Sequence, residues 1–337
     1  DTIAVEMTRK ITPLKDLIAI AKLYKILRKE KPFIVHTHTP KAGLIGMLAS
    51  FIAGVPNKLH TVAGLPLMES NGIKRKVLIA VEKLIYIVAD RVYPNSYGLK
   101  DFILQNKLCS EKKIKVIANG SSNGIDTEHF KITDKLTAKA FKLKKELNIN
   151  ENDFVFCFIG RIVKDKGINE LLFTFTELCK KNKNIKLLLV GPFEENLDPI
   201  SDNSKMIINK NSSVLHVGYQ EDVRPFLIAS YVFVFPSYRE GFPNVVMQAG
   251  AMGVPCIVTN INGCNEIIKE GINGIIVEPK NVQELATAML KLSSNAKLRK
   301  TLAGNSRKII VERYEQKYIW NEILKEYKSF ENQPTLI

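Results

Sequence analysis

Acid is scarce in this chain: 34 Asp and Glu stand against 49 Lys and Arg, a formal net charge of +15 over 337 residues. An imbalance of that size calls for an anionic partner, whether nucleic acid, a phosphorylated substrate or an anionic membrane. No recognised nucleic-acid motif accompanies the lysines, so no nucleic-acid partner is expected. Cysteine is also sparse. The five thiols (Cys109, Cys157, Cys179, Cys256, Cys264) include no C-x-x-C pair and several lie in apolar runs, which argues against a disulfide framework and fits a reducing cytoplasm. Long hydrophobic runs are missing: 42–55 falls short of the roughly 18 residues of a membrane span, and 241–265 is broken by Pro, Asn and Gln. There is no Walker loop, no G-x-G-x-x-G after an identifiable strand, no zinc spacing such as H-E-x-x-H, and no G-x-S-x-G elbow.

What is there is a globular chain long enough for two domains, since one core seldom serves more than about 250–300 residues. Apolar strand-like runs alternate with helix-like segments, the pattern of an α/β protein with parallel sheets. In the first half 33–36, 58–62, 91–94 and 114–117 read as strands, with helices over 41–53, 74–89 and 97–105. Turn residues at Asn119-Gly120-Ser121-Ser122-Asn123-Gly124 interrupt the pattern, and a lysine-rich helix over 136–147 follows. The second half restarts with Phe154-Val155-Phe156-Cys157-Phe158-Ile159, a run of the kind buried on both faces of a parallel sheet. Further strands are expected at 185–190, 214–217, 231–235, 256–259 and 275–277. The domain reading is therefore 1–130 with 315–337, a linker helix in 131–150, and 151–314.

Basic residues crowd two helical stretches. In 10–31, Leu14, Leu17, Ile18, Ala21, Tyr24 and Leu27 recur at helical spacing with Lys22, Lys25, Arg28 and Lys29 between them. After Asn71, Lys74-Arg75-Lys76 precede the apolar runs 77–81 and 84–88. Two readings fit: core-packed helices with solvated lysines, or amphipathic faces for an anionic membrane surface.

Two segments carry the chemistry. The first is Gly160-Arg161-Ile162-Val163-Lys164-Asp165-Lys166-Gly167, on a strand-to-helix loop where a guanidinium fork and an ammonium can neutralise a diphosphate; the alternative is a solvated basic loop. The second, 239–260, is a polar turn opening a short helix between two apolar strands. Glu240 stands before the helix start, whose free amides attract phosphate, and Gln248 lies about two turns on, on nearly the same face.

In this order and spacing the two segments resemble the retaining glycosyltransferases of the GT-B fold with a Glu-x7-Glu signature, the family 4-like type of bacterial surface polysaccharide synthesis. The resemblance extends through Val190-Gly191, His216-Val217-Gly218-Tyr219, 236–243, Gly253-Val254-Pro255, Asn262-Gly263, Glu266 and Gly274. Asn123-Gly124-Ile125-Asp126 and Trp320 are similar to the family's domain junction and crossover helix. The resemblance implies two Rossmann-like domains facing across a cleft, the second holding a nucleotide-sugar donor and the first a glycan or lipid-linked acceptor. It implies that Gly160, Arg161 and Lys166 meet the donor diphosphate, Glu240 the sugar hydroxyls, and the Gly241-Phe242 turn with the amides of Phe242, Asn244 and Val245 the phosphate. Backbone at Gly218 and Tyr219 would hold the base, and His60 would act near the reacting hydroxyl. No cofactor is implied and no metal is expected.

Two departures qualify it. The second family carboxylate falls at position 248, where this chain has Gln, which keeps hydrogen bonding but no charge. The chain also opens at Asp1-Thr2-Ile3 without the family's first strand and glycine-rich loop, so weak or absent turnover is expected of it as it stands. Transfer from a UDP-sugar with retention is the expected activity, in the cytoplasm or at the inner face of the membrane. A nucleotide-sugar 2-epimerase of related fold and an inactive donor-binding subunit are the other readings.

Overall fold

The computed structural model describes residues 2–7, 12–68, 70–196 and 198–331. Asp1, Lys10 of the first basic stretch and residues 332–337 of the expected crossover segment lie outside the described residues. The chain divides into two compact units, one running to Asn123 and resuming at Ile319, the other Gly124–Tyr318.

The first unit contains α1 (Pro13–Glu30), β1 (Ile34–His38), α2 (Pro40–Ala53), β2 (Asn57–Val62), α3 (Gly72–Val88), β3 (Arg91–Pro94) and α4 (Tyr97–Gln105). Its strands form a parallel sheet in the order β1-β2-β3. Proline opens α1 and α2, where its missing N–H costs nothing, and left-handed Gly54 ends α2. Helix α2 lies close on the sheet because Gly43 has no side chain: a Cβ there would sit 2.5 Å from Cε1 of His60. The strand expected at 114–117 is absent as such. Ile114 makes one parallel bridge to Val92 and Lys115 N–H donates to the Val92 carbonyl (3.0 Å). The next bond would need an N–H from Pro94, which has none, so the ladder stops.

The second unit contains α5 (Asp134–Glu146), β4 (Phe154–Ile159), α6 (Ile168–Lys181), β5 (Ile185–Val190), α7 (Asp202–Lys210), β6 (Val214–His216), α8 (Arg224–Ile228), β7 (Val232–Phe235), α9 (Asn244–Ala251), β8 (Cys256–Thr259), α10 (Cys264–Ile267), β9 (Gly274–Val277), α11 (Val282–Ser294) and α12 (Ala296–Tyr314). All six strands are parallel, in the order β6-β5-β4-β7-β8-β9. This is the doubly wound dinucleotide-binding order: successive strands are added on one side of β4 and then, from β7, on the other. The β4–β5 ladder runs from Phe154 opposite Ile185 to Ile159 opposite Val190, whereas the β4–β7 ladder pairs Phe156 with Val232 and Cys157 with Phe233 and then ends. The helix expected as a linker, α5, belongs inside this unit, since Ala140 joins its core. A last helix, α13 (Gln316–Glu331), starts in the second unit and returns to the first, where Phe330 packs with Leu59 and Tyr93. Among the described residues no helix is long and apolar enough to cross a membrane.

Candidate active site

In the second unit the loops beyond the carboxyl ends of β4 and β7 meet at the sheet's reversal point, where open α/β sheets hold ligands. Lys166 stands on the first loop and Glu240 on the second. Lys166 Nζ lies 2.5 Å from Glu240 Oε1, and both side chains are largely covered, at 13% and 15% exposure. The same carboxylate oxygen accepts from Ser237 Oγ (2.9 Å), while Asn262 Nδ2 donates to the Glu240 carbonyl. Glu240 is thus fixed from three elements.

The two loops are also fastened to each other. The Asp165 carbonyl accepts from the Tyr238 amide (2.8 Å), and its Oδ2 takes Nη2 and Nε of Arg239 at 2.9 and 3.1 Å. Asp198, on the loop after β5, accepts the Asp165 N–H through Oδ2 at 2.6 Å. Gly167 is left-handed (φ 69°), and a Cβ on it would fall 2.1 Å from the Pro236 carbonyl oxygen, so this approach admits no other residue.

Arg161 departs from the expected paired clamp. Its Nη1 lies 2.6 Å from Glu194 Oε2, and the side chain is 43% exposed. Glu194 already holds the guanidinium, so any phosphate must compete with this carboxylate for it.

The remaining donor-side positions surround these loops. Gly160 and Gly191 touch so closely that a Cβ on Gly191 would meet the Gly160 carbonyl oxygen at 1.8 Å. The Gly191 N–H donates to the Gly218 carbonyl (2.8 Å), bringing the ends of β4, β5 and β6 together. Tyr219 is exposed. Gly241 leads into α9, capped by Pro243 with no side-chain hydrogen bond, which leaves its first amides without a side-chain cap. Phe242 is buried with its ring against Tyr314, Asn244 is exposed, and Val245 and Gln248 are half-buried. Ser237, Asp165, Glu194 and Asp198 were not singled out from sequence; the carboxylates of the loop after β5 were the available signal.

In the first unit a small open pocket lies at the carboxyl ends of the strands, lined among others by His36, His38, Asn95 and Tyr327. His36 uses both ring nitrogens, Nδ1 with Tyr327 Oη (2.6 Å) and Nε2 with Thr61 Oγ1 (2.7 Å), and burial pulls its pKa down to about 3. His60 does not fit the reacting role expected of it. It is 1% exposed, lies beneath Gly43 of α2 with Nδ1 2.8 Å from Thr37 Oγ1, and burial holds its pKa at about 4. A ring sealed under a helix supports the strand rather than touching a substrate. Among the described residues no cluster of His, Cys, Asp or Glu could hold a metal ion.

Residues 139–309 match the family described as glycosyl transferases group 1, and residues 4–129 match glycosyltransferase family 4. The capsular polysaccharide biosynthesis glycosyltransferase CapM of Staphylococcus aureus is 38% identical over 327 residues, 97% of this chain and 84% of that one. The UDP-Gal:alpha-D-GlcNAc-diphosphoundecaprenol alpha-1,3-galactosyltransferase of Escherichia coli is 32% identical over 313 residues, 90% of this chain and 77% of that one. The crystal structure of Anabaena Alr3699/HepE in complex with UDP superposes with a TM-score of 0.81 at 22% identity, covering 95% of this chain and 84% of that one. The fold class is GT-B.

Proposed function

Because this chain belongs to the glycosyl transferases group 1 family, we propose that it moves a hexose or N-acetylhexosamine from a nucleoside diphosphate sugar to a glycan or lipid-linked acceptor during surface polysaccharide assembly. The observation that carries the reading is the Lys166–Glu240 pair at the reversal point of the second sheet. There a carboxylate can grip sugar hydroxyls while the ammonium beside it faces a departing diphosphate. Arg161, once released from Glu194, adds a second cation, and the amides of Phe242, Asn244 and Val245 at the start of α9 take up phosphate oxygens. Gly160 lets the diphosphate approach, Gly218 and Tyr219 offer backbone and ring to the base, and Gln248 hydrogen-bonds the ribose without charge. These groups supply the charge a leaving diphosphate needs, so no metal is assigned.

UDP is the first choice of donor nucleotide, supported by the UDP-Gal named for the Escherichia coli relative. Its diphosphoundecaprenol acceptor supports a lipid-linked acceptor at the cytoplasmic face of a membrane. Retention is the stereochemical reading: a UDP-hexose of this type carries an α-linked nucleotide, and the relative is an alpha-transferase. Retaining glycosidases use two carboxylates about 5 Å apart. Glu240 is bound up with Lys166 instead, which favours front-face displacement, the leaving oxygen taking the acceptor's proton.

Thermal-shift screening against UDP-, GDP- and ADP-sugars tests the donor, since a ligand at 100 times its dissociation constant stabilises by about 2.7 kcal/mol. Stabilisation by none of them, in a folded chain, would overturn the reading.

A further inference from the structure

We infer that the outward face of α3 docks on an anionic phospholipid bilayer. The inward face of this helix is covered, with Glu82, Ile85 and Tyr86 buried. A helix serving only its own core would turn charged or polar side chains outward. Instead Ile73, Val77, Ala80, Leu84 and Ile87 are exposed, Ile73 at 81% and Ile87 at 70%. They follow at steps of four, three, four and three, and so form one stripe about 21 Å long at 1.5 Å per residue.

Charge selects the partner. Lys74, Lys76 and Lys83 are exposed on the same helix, and its one acid, Glu82, is turned inward at 2% exposure. An apolar stripe flanked by lysines and free of exposed acid suits the boundary between anionic headgroups and acyl chains. A second copy of the chain suits it poorly, because a two-fold contact would bring these lysines against their own copies in a molecule of net charge +15. The helix is also held rigid at both ends. Lys113 Nζ donates to the carbonyls of Ile87 (2.9 Å) and Ala89 (2.8 Å), and Arg75 reaches the Leu67 carbonyl (3.0 Å) and Asn106 Oδ1 (3.1 Å). The stripe is therefore presented in place rather than formed on contact.

This surface rests on the reading of a membrane-embedded acceptor and says which face meets the membrane. The test is co-sedimentation of the full chain, at low salt, with vesicles of equal parts phosphatidylglycerol and phosphatidylcholine, and with phosphatidylcholine alone. The wild-type chain pellets with the anionic vesicles. Substituting Ile73→Ser, Val77→Ser and Ile87→Ser together weakens binding by about tenfold or more, and Lys74→Gln, Lys76→Gln and Lys83→Gln together remove its preference for anionic lipid. The melting temperature and its shift by UDP stay as in wild type, because none of these side chains is in either core. Wild-type chain left in the supernatant, serine-substituted chain pelleting equally well, or a dimer that the serine substitutions dissolve would each overturn the inference. A chain that binds vesicles but shows no shift with UDP refutes the donor reading alone.

Discussion

Lys166 and Glu240 are 74 positions apart in sequence, yet their side chains meet at 2.5 Å because the strands before them, β4 and β7, are neighbours at the reversal of the sheet. Neither group is free to solvent, so each depends on the other for its charge to be tolerated. Removing one leaves the partner buried and unpaired, which costs more than removing both. Lys166→Met is expected to destabilise the second unit by about 1–3 kcal/mol, and Lys166→Met with Glu240→Leu by less. Urea midpoints of the two variants check this; a double variant weaker than the single one would contradict it. Glu240→Gln keeps the shape of the site and is expected to lower kcat by about a hundredfold or more while UDP still stabilises the chain.

Arg161 is held by Glu194 across a half-exposed pair, and pairs of that kind contribute about 1 kcal/mol or less. Glu194→Gln should therefore release the guanidinium and tighten UDP binding by no more than about fivefold. Arg161→Ala acts on the other quantity, lowering kcat more than it raises KM, since charge on the leaving diphosphate grows in the transition state. Titration calorimetry with UDP and steady-state kinetics separate the two effects. Unchanged turnover by Arg161→Ala would remove it from the site.

Gly191 sets the spacing of three loops. A methyl group there collides with the Gly160 carbonyl oxygen at a strand end that also holds the Gly218 carbonyl. Gly191→Ala is expected to destabilise by about 1–3 kcal/mol through overpacking and to weaken UDP binding as the loops part. Binding preserved at wild-type affinity would show the spacing to be unimportant for the ligand.

The histidines of the first unit give stability a pH dependence of definite sign. Burial holds the folded-state pKa of His60 at about 4, below the usual 6.5, so the unfolded chain takes up a proton that the folded chain refuses. Stability is full above the usual value and falls as pH drops from 6.5 toward about 4, by about 1.4 kcal/mol per pH unit for this one group. His60→Gln should flatten that fall by one proton's worth, and hydrogen exchange of the β2 amides at neutral and acid pH reads it in the right unit. Equal slopes for both proteins would refute the assignment.

The strands of the second unit were legible because runs such as 154–159 and, but for Lys186, 185–190 are apolar without alternation, which a parallel sheet covered on both faces requires. Lys166 and Glu240 were legible as loop residues beyond such strands. Their hydrogen bond was not, since it depends on which strands become neighbours. The run 114–117 has the composition of a strand, but its pairing ends at a proline on the partner strand. His60 looked available from sequence because nothing in its own segment announces that a glycine, Gly43, lets a helix close over it. Charge pairing across a long separation, as between Arg161 and Glu194, leaves no local pattern at all. Helix α3 mixes lysines with apolar runs on more than one side, and only the packing separates its covered face from its bare one.

The short ladder between β4 and β7 has a consequence for how the protein can change over time. Hydrogen bonding between these strands ends at Cys157 and Phe233, before either strand does, while β4 stays paired with β5 to its last residue. Above that point the strands part, and the loops that follow them are joined by Asp165 to Tyr238 and Arg239 instead. Substitutions inside the sheet can therefore accumulate without disturbing that parting, and divergence toward new sugars and acceptors falls to the loop positions not held by Gly167, Gly191 or Asp165.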